Sequence, residues 1–556
     1  MPRVKINGLE HDFPNGMNLL EACKQVGVYV PHFCYHPDLK VVGSCRMCKV
    51  EVVQGGKPRI DISCNTTVAE GLEVNTSTPG VHKQQQMTLE YLLANHPLDC
   101  PVCDDAGECD LQNYYLQYGR HNSQMHEIRH RKHFKAKDIG KSVVLDNERC
   151  VLCSRCVRFT QDVTKTHELG IFGMGHGEEL ALTPGKRLDN DYAGNVVDLC
   201  PVGALTDKDF RFKRRVWFLQ SKSSICQGCS RGCNVRIDYD LNPFHGHKKT
   251  FKMKTHRTEA TAFQRIQRLK PRFNDSVNGH WMCDDGRYGY KPTDTADRLQ
   301  TPMMAGDKGL EEASWDDALK AVANGINTGL SGNKLAVVAS PKLTNEELFA
   351  VKSLFRDKLK VASLDHRLPA DASWYGDDML RTPDAFPNRL GAEWIGVVPE
   401  DGGVGVNGLE ESIQSGKIDT LIVILADPRS FLSESALKKL QRVYLIIRNL
   451  PEDMKAIGNV FLPAAAWGEY RGTFTNFRCR TQRLDAAFEP LGEAKPVWEI
   501  VSELSNNLKK PLNFETHSEV LHAMAQNVSF FSKVTWETLG DEGLTLGIVQ
   551  SRKVAS

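Results

Sequence analysis

The distribution of cysteine constrains this chain more than any other feature of its 556 residues. Of the 17 cysteines, fifteen lie between Cys23 and Cys233, and only Cys283 and Cys479 follow. The first residues, MPRVKINGLEHDF, lack the apolar segment of a signal peptide, and no run of about eighteen apolar residues occurs, so we expect a chain without a membrane span in a reducing, cytosolic setting. In that setting, clustered cysteines are expected to bind metals rather than to form disulfides.

The segment HPLDCPVCDDAGEC, from His96 to Cys109, carries four metal donors on a short stretch of chain. His96, Cys100, Cys103 and Cys109 follow the spacing H-x3-C-x2-C-x5-C, and we call them the His96 set. Soft thiolates favour zinc or iron–sulfur iron, so this segment alone fits a structural zinc site as well as a cluster. On a cluster, the imidazole would raise the reduction potential relative to four thiolates, by analogy with Rieske centres.

Residues 1 to about 78 predict a small domain with a strand at Val4–Ile6, a turn at Asn7-Gly8, a return strand and an amphipathic helix over Asn18–Val26. Four cysteines follow this helix, and we call them the Cys34 set: Cys34, Cys45, Cys48 and Cys64. One x2 pair with two outlying cysteines is the general plan of a [2Fe–2S] ferredoxin, although the first gap is x10 rather than the plant-type x4. A zinc-stapled domain is the alternative, and Cys23 is expected to be a core residue.

A third set resembles half of a bacterial two-cluster ferredoxin. The Cys150 set consists of Cys150, Cys153, Cys156 and Cys200, the last followed by Pro201. The bacterial pattern is C-x2-C-x2-C-x3-C-P, and each run's fourth cysteine serves the other cluster. Here Thr160 stands where the first run's fourth cysteine would be, and the second run keeps only its last member. This pattern indicates that one cluster has been lost and the other retained.

The Cys226 set completes the series with Cys226, Cys229, Cys233 and Cys283. The 49-residue gap before Cys283 contains the basic stretch Lys248–Arg272, which has nine Lys or Arg and one Glu. We interpret this stretch as a surface insertion that leaves the four cysteines together; the alternative is that Cys283 is displaced. A second basic stretch, 120–141, is interpreted as a solvated linker. A net charge of +1 and the lack of a recognition fold give no reason to expect nucleic-acid binding.

From about residue 296 the sequence predicts a different, α/β domain. Buried strands are predicted at Lys334–Ser340, Thr420–Ala426 and Val443–Ile447, with helices between them, which indicates a mainly parallel sheet. The glycines 403, 405 and 408 match G-x-G-x-x-G, but the preceding VVPEDGG is a poor strand. We therefore expect a loop there and no NADH bound by this chain.

The order of these motifs resembles that of the large iron–sulfur subunit (the G subunit) of bacterial NADH–quinone oxidoreductase, respiratory complex I. The resemblance is carried by the Cys34 set, HPLDCPVCDDAGEC, CVLCSRC with DLCPVGAL, CQGCSRGC with WMCDDGRYGY, and RGTFTNFRCRTQ at Arg471–Gln482. It implies a multidomain α+β and α/β protein. The implied domains are a β-grasp [2Fe–2S] ferredoxin-like domain at 1–78, a helical [4Fe–4S] segment with one histidine and three cysteine ligands at 79–119, a [4Fe–4S] ferredoxin-like domain at 140–215, a [4Fe–4S] domain of the molybdenum/tungsten bis-molybdopterin type at 219–295, and a truncated molybdopterin-oxidoreductase-like domain without cofactor at 296–556.

The resemblance also implies the function. The chain would hold one [2Fe–2S] and three [4Fe–4S] clusters, with no molybdopterin, NAD or FMN, and the cluster of the Cys226 set would be one that only some bacterial members keep. It would relay electrons from an NADH- and FMN-binding partner subunit toward a quinone-proximal iron–sulfur subunit, while the whole complex translocates protons. It would lie on the cytoplasmic side of the inner membrane and contact the membrane only through the complex.

Three other functions remain open from the sequence. A molybdenum or tungsten enzyme of the formate dehydrogenase type would normally need a Cys or selenocysteine on its metal, and no cysteine lies between Cys283 and Cys479. A hydrogenase, either iron-only or the iron–sulfur subunit of a soluble NAD-linked enzyme, shares the N-terminal plan. A zinc-stapled scaffold without redox function is the third. Four successive sets on ferredoxin-like spacings favour electron transfer over zinc.

Overall fold

The computed structural model describes residues 1–120, 122, 126, 135–242, 263–306 and 309–547. The chain forms two compact units, one of residues 1–219 and one that begins at Gln220. Most of the predicted linker at 120–141 and residues 248–262 of the predicted insertion lie outside the described residues. None of the helices in the described ranges is long and apolar enough to span a bilayer.

A five-stranded mixed sheet opens the first unit. Its elements are β1 (Arg3–Ile6), β2 (Leu9–Asp12), α1 (Leu19–Gln25), β3 (Lys49–Gln54), β4 (Lys57–Ile62) and β5 (Leu72–Asn75). The strand order is β2-β1-β5-β3-β4, with β1 and β5 parallel and the other neighbours antiparallel. Asn7 and Gly8 both have positive φ, which a two-residue hairpin turn requires, and the Asn18 side chain caps α1. The predicted hairpin and helix are confirmed, and α1 buries Leu19, Leu20, Ala22 and Cys23 against the sheet.

The rest of the first unit is short helices and strands around the cysteine segments. The elements are α2 (Pro79–Leu93), α3 (Asp110–Tyr118), β6 (Lys137–Asp138), β7 (Val143–Leu145), α4 (Arg155–Arg158), β8 (Leu169–Phe172), β9 (Glu179–Leu182), α5 (Asn195–Leu199) and β10 (Leu205–Asp207). Thr78 caps α2, and Pro79 occupies its first turn, where its missing N–H costs nothing. The sequence predicts helices over about Val81–Asn95 and Cys109–Tyr118, on either side of the His96 set, and α2 and α3 confirm both.

A three-stranded antiparallel sheet opens the second unit. It contains β11 (Gln220–Ile225), β12 (Asn234–Tyr239) and β13 (Ile266–Pro271), and α6 (Asp284–Tyr288) follows. The interpretation of 248–272 as a surface insertion is wrong for its last residues. Ile266 and Leu269 are buried in β13, which pairs with β12 along its length. The high Lys and Arg content concealed a strand whose apolar residues face the core.

The α/β domain predicted from residue 296 is confirmed as a mainly parallel, seven-stranded sheet. Its order is β15-β14-β20-β19-β18-β16-β17, and β20 to β17 are parallel. The elements of this part of the chain are β14 (Met303–Gly306), β15 (Gly309–Glu312), α7 (Trp315–Ser331), β16 (Leu335–Ala339), α8 (Asn345–Val351), β17 (Ser363–Asp365), α9 (Arg389–Ile395), α10 (Val406–Gln414), β18 (Thr420–Ile424), α11 (Glu434–Lys439), β19 (Arg442–Ile447), β20 (Val460–Pro463), β21 (Gly472–Thr475), β22 (Arg480–Leu484), α12 (Val497–Asn507), α13 (His517–Asn527), α14 (Trp536–Leu539) and β23 (Leu544–Thr545). Strands β21, β22 and β23 form a separate small sheet. Helices α7, α8, α12 and α13 cover one face, and α10 and α11 cover the other.

The glycine motif at 403–408 is only partly a loop. Gly405 caps α10, and Gly408 lies within its first turn, which corrects the expectation of a loop throughout. The carboxylate of Asp365, at the end of β17, accepts the Val406 N–H at 2.8 Å. The chain's own carboxylate thus occupies the helix N-terminus, the position at which a dinucleotide fingerprint would hold phosphate.

Candidate metal centres

Cys34, Cys48 and Cys64 of the Cys34 set are buried, and Cys45 is partly buried. Cys48 and Cys64 pack in the core formed by α1 and the first sheet. The Cys34 sulfur hydrogen-bonds to those of Cys45 and Cys64, and the Cys64 sulfur also hydrogen-bonds to that of Cys48. Hydrogen bonds from its neighbours lower the pKa of Cys34, while the same contacts raise the pKa values of Cys45 and Cys64. Four thiols joined by these contacts form a donor group that a cation can deprotonate on binding.

The His96 set lines one pocket. His96 follows the end of α2, Cys100 begins a single 3-10 turn, and Cys109 caps α3, so the two helices place the donors around a common space. The rest of its lining consists of Asp99, Ala106, Gln112, Arg149 and Gly203. Cys100 is exposed, whereas Cys103 and Cys109 are buried, and burial raises the pKa of Cys109 to about 12. Arg149 pairs with Asp99 at 3.0 Å and with Asp146 at 3.3 Å, which ties the segment to the chain before Cys150.

Gly203 provides a direct test of this pocket. A Cβ added there would lie 2.3 Å from the Cys103 sulfur and 3.0 Å from the Asp105 Cβ. We expect Gly203→Ala to displace Cys103 and to remove the metal of the His96 set, measured as iron per chain and by EPR. Gly177→Ala is the matched control, because its Cβ would meet nothing within 4 Å. Full metal content in Gly203→Ala would contradict this geometry.

The Cys150 set also faces one pocket. Cys150 follows a 3-10 turn, Cys156 lies in α4, and Cys200 caps the end of α5. Leu152 and Ser154 have φ of 52° and 59°, left-handed values that turn the chain so that Cys153 points inward between its neighbours. The Leu152 N–H donates to the Cys150 sulfur at 3.4 Å. Most of the remaining lining is apolar, with Ile171, Leu180 and Val202 among its side chains, and Ser154 and Arg155 are its polar members.

The three sets of the first unit share one apolar core. Cys34, Cys109 and Cys153, one from each set, belong to a single cluster of buried residues with Phe33, Met47, Leu89, Leu111, Tyr114, Val202 and Ala204. The chain also bridges the sets through hydrogen bonds. The N–H of Asp110, next to Cys109, donates to the carbonyl of Pro201, next to Cys200, at 3.0 Å. The Arg158 guanidinium donates to the carbonyls of Cys34 and Cys153.

The Cys226 set lies in the second unit. Cys226 follows β11, and its N–H donates to the Cys233 carbonyl at 2.9 Å, which closes the first three cysteines into a loop. Cys283 caps α6, and a Cβ on Gly286 would lie 2.9 Å from the Cys226 sulfur and 3.5 Å from the Cys283 sulfur. The structure thus places Cys283 beside Cys226 despite the long intervening segment. Burial raises the pKa of Cys226 to about 12.

The donor groups suit iron–sulfur ligation by their chemistry. Three sets present four thiols and the His96 set presents three thiols and one imidazole, and eleven of these sixteen donors are buried. Backbone N–H groups point at sulfurs of Cys150, Cys226 and Cys283. Within the described ranges, no group of three or more His, Cys, Asp or Glu side chains is arranged, as it stands, to hold a single metal ion. Arg149, Arg158 and Arg215 were not predicted from the sequence, because their only signal is a position near the cysteines. Arg215 donates to the Cys103 carbonyl at 2.5 Å.

Family models match most of the chain. A "2Fe-2S iron-sulfur cluster binding domain" matches residues 3–79, and the "NADH-ubiquinone oxidoreductase-G iron-sulfur binding region" matches 85–124. The ferredoxin-like domain of "NADH-quinone oxidoreductase subunit 3" matches 140–206. "Molybdopterin oxidoreductase" matches 298–372 and 402–507. The chain is therefore a multidomain iron–sulfur protein that contains [2Fe–2S]- and [4Fe–4S]-type domains followed by a molybdopterin-oxidoreductase-type domain.

Related proteins identify a more specific group within this class of iron–sulfur proteins. The G subunit of NADH-quinone oxidoreductase from Rickettsia felis is 27% identical over 644 aligned residues, which cover 96% of this chain and 92% of the relative. The G subunit from Streptomyces coelicolor is 33% identical, covering 83% and 52%, and the mitochondrial 78 kDa subunit of NADH-ubiquinone oxidoreductase from Neurospora crassa is 37% identical, covering 63% and 44%. Over nearly its whole length the chain is homologous to G subunits of NADH-quinone oxidoreductase. A solved chain described as an NAD+-reducing [NiFe]-hydrogenase is 31% identical and covers 39% of this chain and 91% of its own length, with a TM-score of 0.35.

Proposed function

We propose that this chain is an electron-transfer subunit of an NADH–quinone oxidoreductase. The observation that carries the proposal is the apolar core of the first unit, in which one cysteine of each of three sets is buried together. Such a core excludes water from the space between the sets and holds them at fixed separations. The name of the relatives, NADH-quinone oxidoreductase, supports the direction from NADH toward quinone. Proton translocation by the whole complex is part of the proposal.

We assign all sixteen predicted donors as cluster ligands. The Cys34 set would hold a [2Fe–2S] cluster, and the His96, Cys150 and Cys226 sets would each hold a [4Fe–4S] cluster. When bound, these clusters supply one-electron transfer, and the protein adjusts each potential through ligand type, hydrogen bonds to sulfur and burial. The chain's own contributions are His96 in place of a thiolate, the N–H groups directed at sulfur, and the surrounding apolar side chains.

Finer features of the fold belong to the same proposal. The first sheet, with its parallel β1–β5 pair and α1 packed across it, supports assignment of residues 1–78 as a β-grasp domain. The truncation of the molybdopterin-type domain stays a prediction from the sequence. The proposed partners are the NADH- and FMN-binding subunit and the quinone-proximal iron–sulfur subunit. The proposed location is the cytoplasmic side of the inner membrane, with the membrane contacted through the complex.

Metal and sulfide analysis tests this assignment. We expect about fourteen iron atoms per chain, with matching acid-labile sulfide, from one two-iron and three four-iron clusters. Low-temperature EPR of the reduced complex should resolve the corresponding signals. Zinc in place of iron would refute the electron-transfer function. Stoichiometric molybdenum or tungsten would instead indicate an enzyme of the formate dehydrogenase type. A total of about ten iron atoms would instead show that one four-iron set stays empty.

A further inference from the structure

Arg158 lies at the contact between the Cys34 set and the Cys150 set. It is the last residue of α4, two positions after Cys156, and only 5% of it is exposed. One guanidinium nitrogen, Nη2, donates both to the carbonyl of Cys34 and, at 3.3 Å, to the carbonyl of Cys153. The other donors reach the carbonyl of Lys40 at 2.6 Å and the hydroxyl of Ser154 at 3.2 Å. One planar, rigid group thus binds the backbone of a ligand from each set.

Among the residues that the structure describes, no acid hydrogen-bonds to the Arg158 guanidinium. All of its hydrogen-bond acceptors in the described part of the chain are neutral carbonyl or hydroxyl oxygens. Of the charged groups that face it, Arg155 repels it, and Asp162 is already paired with Lys40 at 3.0 Å. The remaining two are the sulfurs of Cys34 and Cys153, which would be thiolates when they ligate clusters. A buried cation without a counter-ion is costly, so the ligand thiolates on its two sides are its electrostatic partners.

We propose that Arg158 is a positioning residue that couples the two sets: its hydrogen bonds fix their separation, and its charge raises the reduction potential of both clusters. The inference rests on the proposed function, because it requires clusters in both sets. Each reduction adds a negative charge beside a fixed, buried positive charge, and solvent does not screen that attraction. A single residue would thus fix the separation of the two clusters and raise the reduction potential of both.

The test is an EPR-monitored redox titration of the assembled oxidoreductase with Arg158→Gln and Arg158→Lys. Gln removes the charge and retains a donor, and we expect the equilibrium constant for reducing each of the two clusters to fall about tenfold, which is about 59 mV for a one-electron couple. Lys retains the charge but lacks the planar set of guanidinium donors. Both reduction potentials should therefore stay close to those of the unchanged enzyme, while the magnetic interaction between the two clusters changes. Arg187→Gln is the control, because it removes the same charge from an exposed position in the same ferredoxin-like segment.

The outcomes separate this inference from the proposed function. Absence of cluster signals in the unchanged enzyme refutes the electron-transfer assignment itself. Intact signals with unmoved potentials in Arg158→Gln, or a shift in only one of the two clusters, overturn the coupling role alone. A fall in potential in Arg158→Lys equal to that in Arg158→Gln shows that charge is not the cause. If both variants lose their clusters, Arg158 acts only in assembly and the inference fails.

Discussion

Cys153→Ser is expected to abolish electron transfer from NADH to quinone in the assembled oxidoreductase while leaving intact the NADH oxidation by artificial acceptors at the flavin of the proposed partner subunit. Cys153 is buried in the core that all three sets of the first unit share, and its carbonyl accepts a hydrogen bond from Arg158. Serine is a harder donor that binds iron poorly at neutral pH. We expect a loss of more than about 100-fold, because mutation of residues that merely support metal ligands already costs about 10–100-fold.

Two assays and one control decide the result. Quinone reduction and reduction of an artificial acceptor are measured on the same preparation, with EPR to confirm loss of the cluster of the Cys150 set. Cys479→Ser makes the same chemical change outside all four sets and should retain both activities. Quinone reduction at the rate of the unchanged enzyme, with the signal of the Cys150 set absent, would refute the relay function of that set.

Local patterns in the sequence were sufficient to predict much of the fold. The β1–β2 hairpin, α1, and the helices on both sides of His96–Cys109 depend on short-range signals such as Asn-Gly turns and capping residues. The parallel sheet followed from buried apolar runs such as Thr420–Ile424, whose residues are all buried. Ligand spacing likewise grouped cysteines that are close in sequence, because an x2 gap leaves the chain few ways to separate them.

Relations between distant segments could not be predicted in this way. Nothing local indicates that the Asp110 N–H meets the Pro201 carbonyl, or that Gly203 leaves room for the Cys103 sulfur. The strand β13 was hidden because several of its flanking and internal residues are Arg or Lys, and their long side chains reach solvent or acids while Ile266 and Leu269 face inward. The function proposed for Arg158 depends on its burial and on hydrogen bonds to carbonyls more than a hundred positions away in the sequence. The spacing of the cysteines indicates neither of these.

Glu469→Gln is expected to destabilise the second unit by about 3–5 kcal/mol, the usual cost of removing one partner from a buried ion pair. The Glu469 side chain is 0% exposed, and its carboxylate pairs with Arg265 and, at 3.0 Å, with Arg298, whose side chain is 1% exposed. Arg265 also pairs with Asp294 at 2.7 Å, but within the described part of the chain Glu469 is the only acid paired with Arg298. Burial already lowers the pKa of Arg298, and loss of the carboxylate removes the interaction that opposes this effect.

The position of this ion pair makes the effect specific. Arg265 immediately precedes β13 and Arg298 precedes β14, so Glu469 joins the small sheet that carries the Cys226 set to the α/β domain. Hydrogen exchange of β13 and β20 during denaturant unfolding would measure the change, since the two units need not unfold together. Glu434→Gln, at an exposed pair on α11, should leave protection unchanged. Adding Arg298→Met to Glu469→Gln should recover much of the lost stability, because it removes the unpaired charge. If the double variant is no more stable than Glu469→Gln alone, the loss arises from packing rather than from a buried, uncompensated arginine.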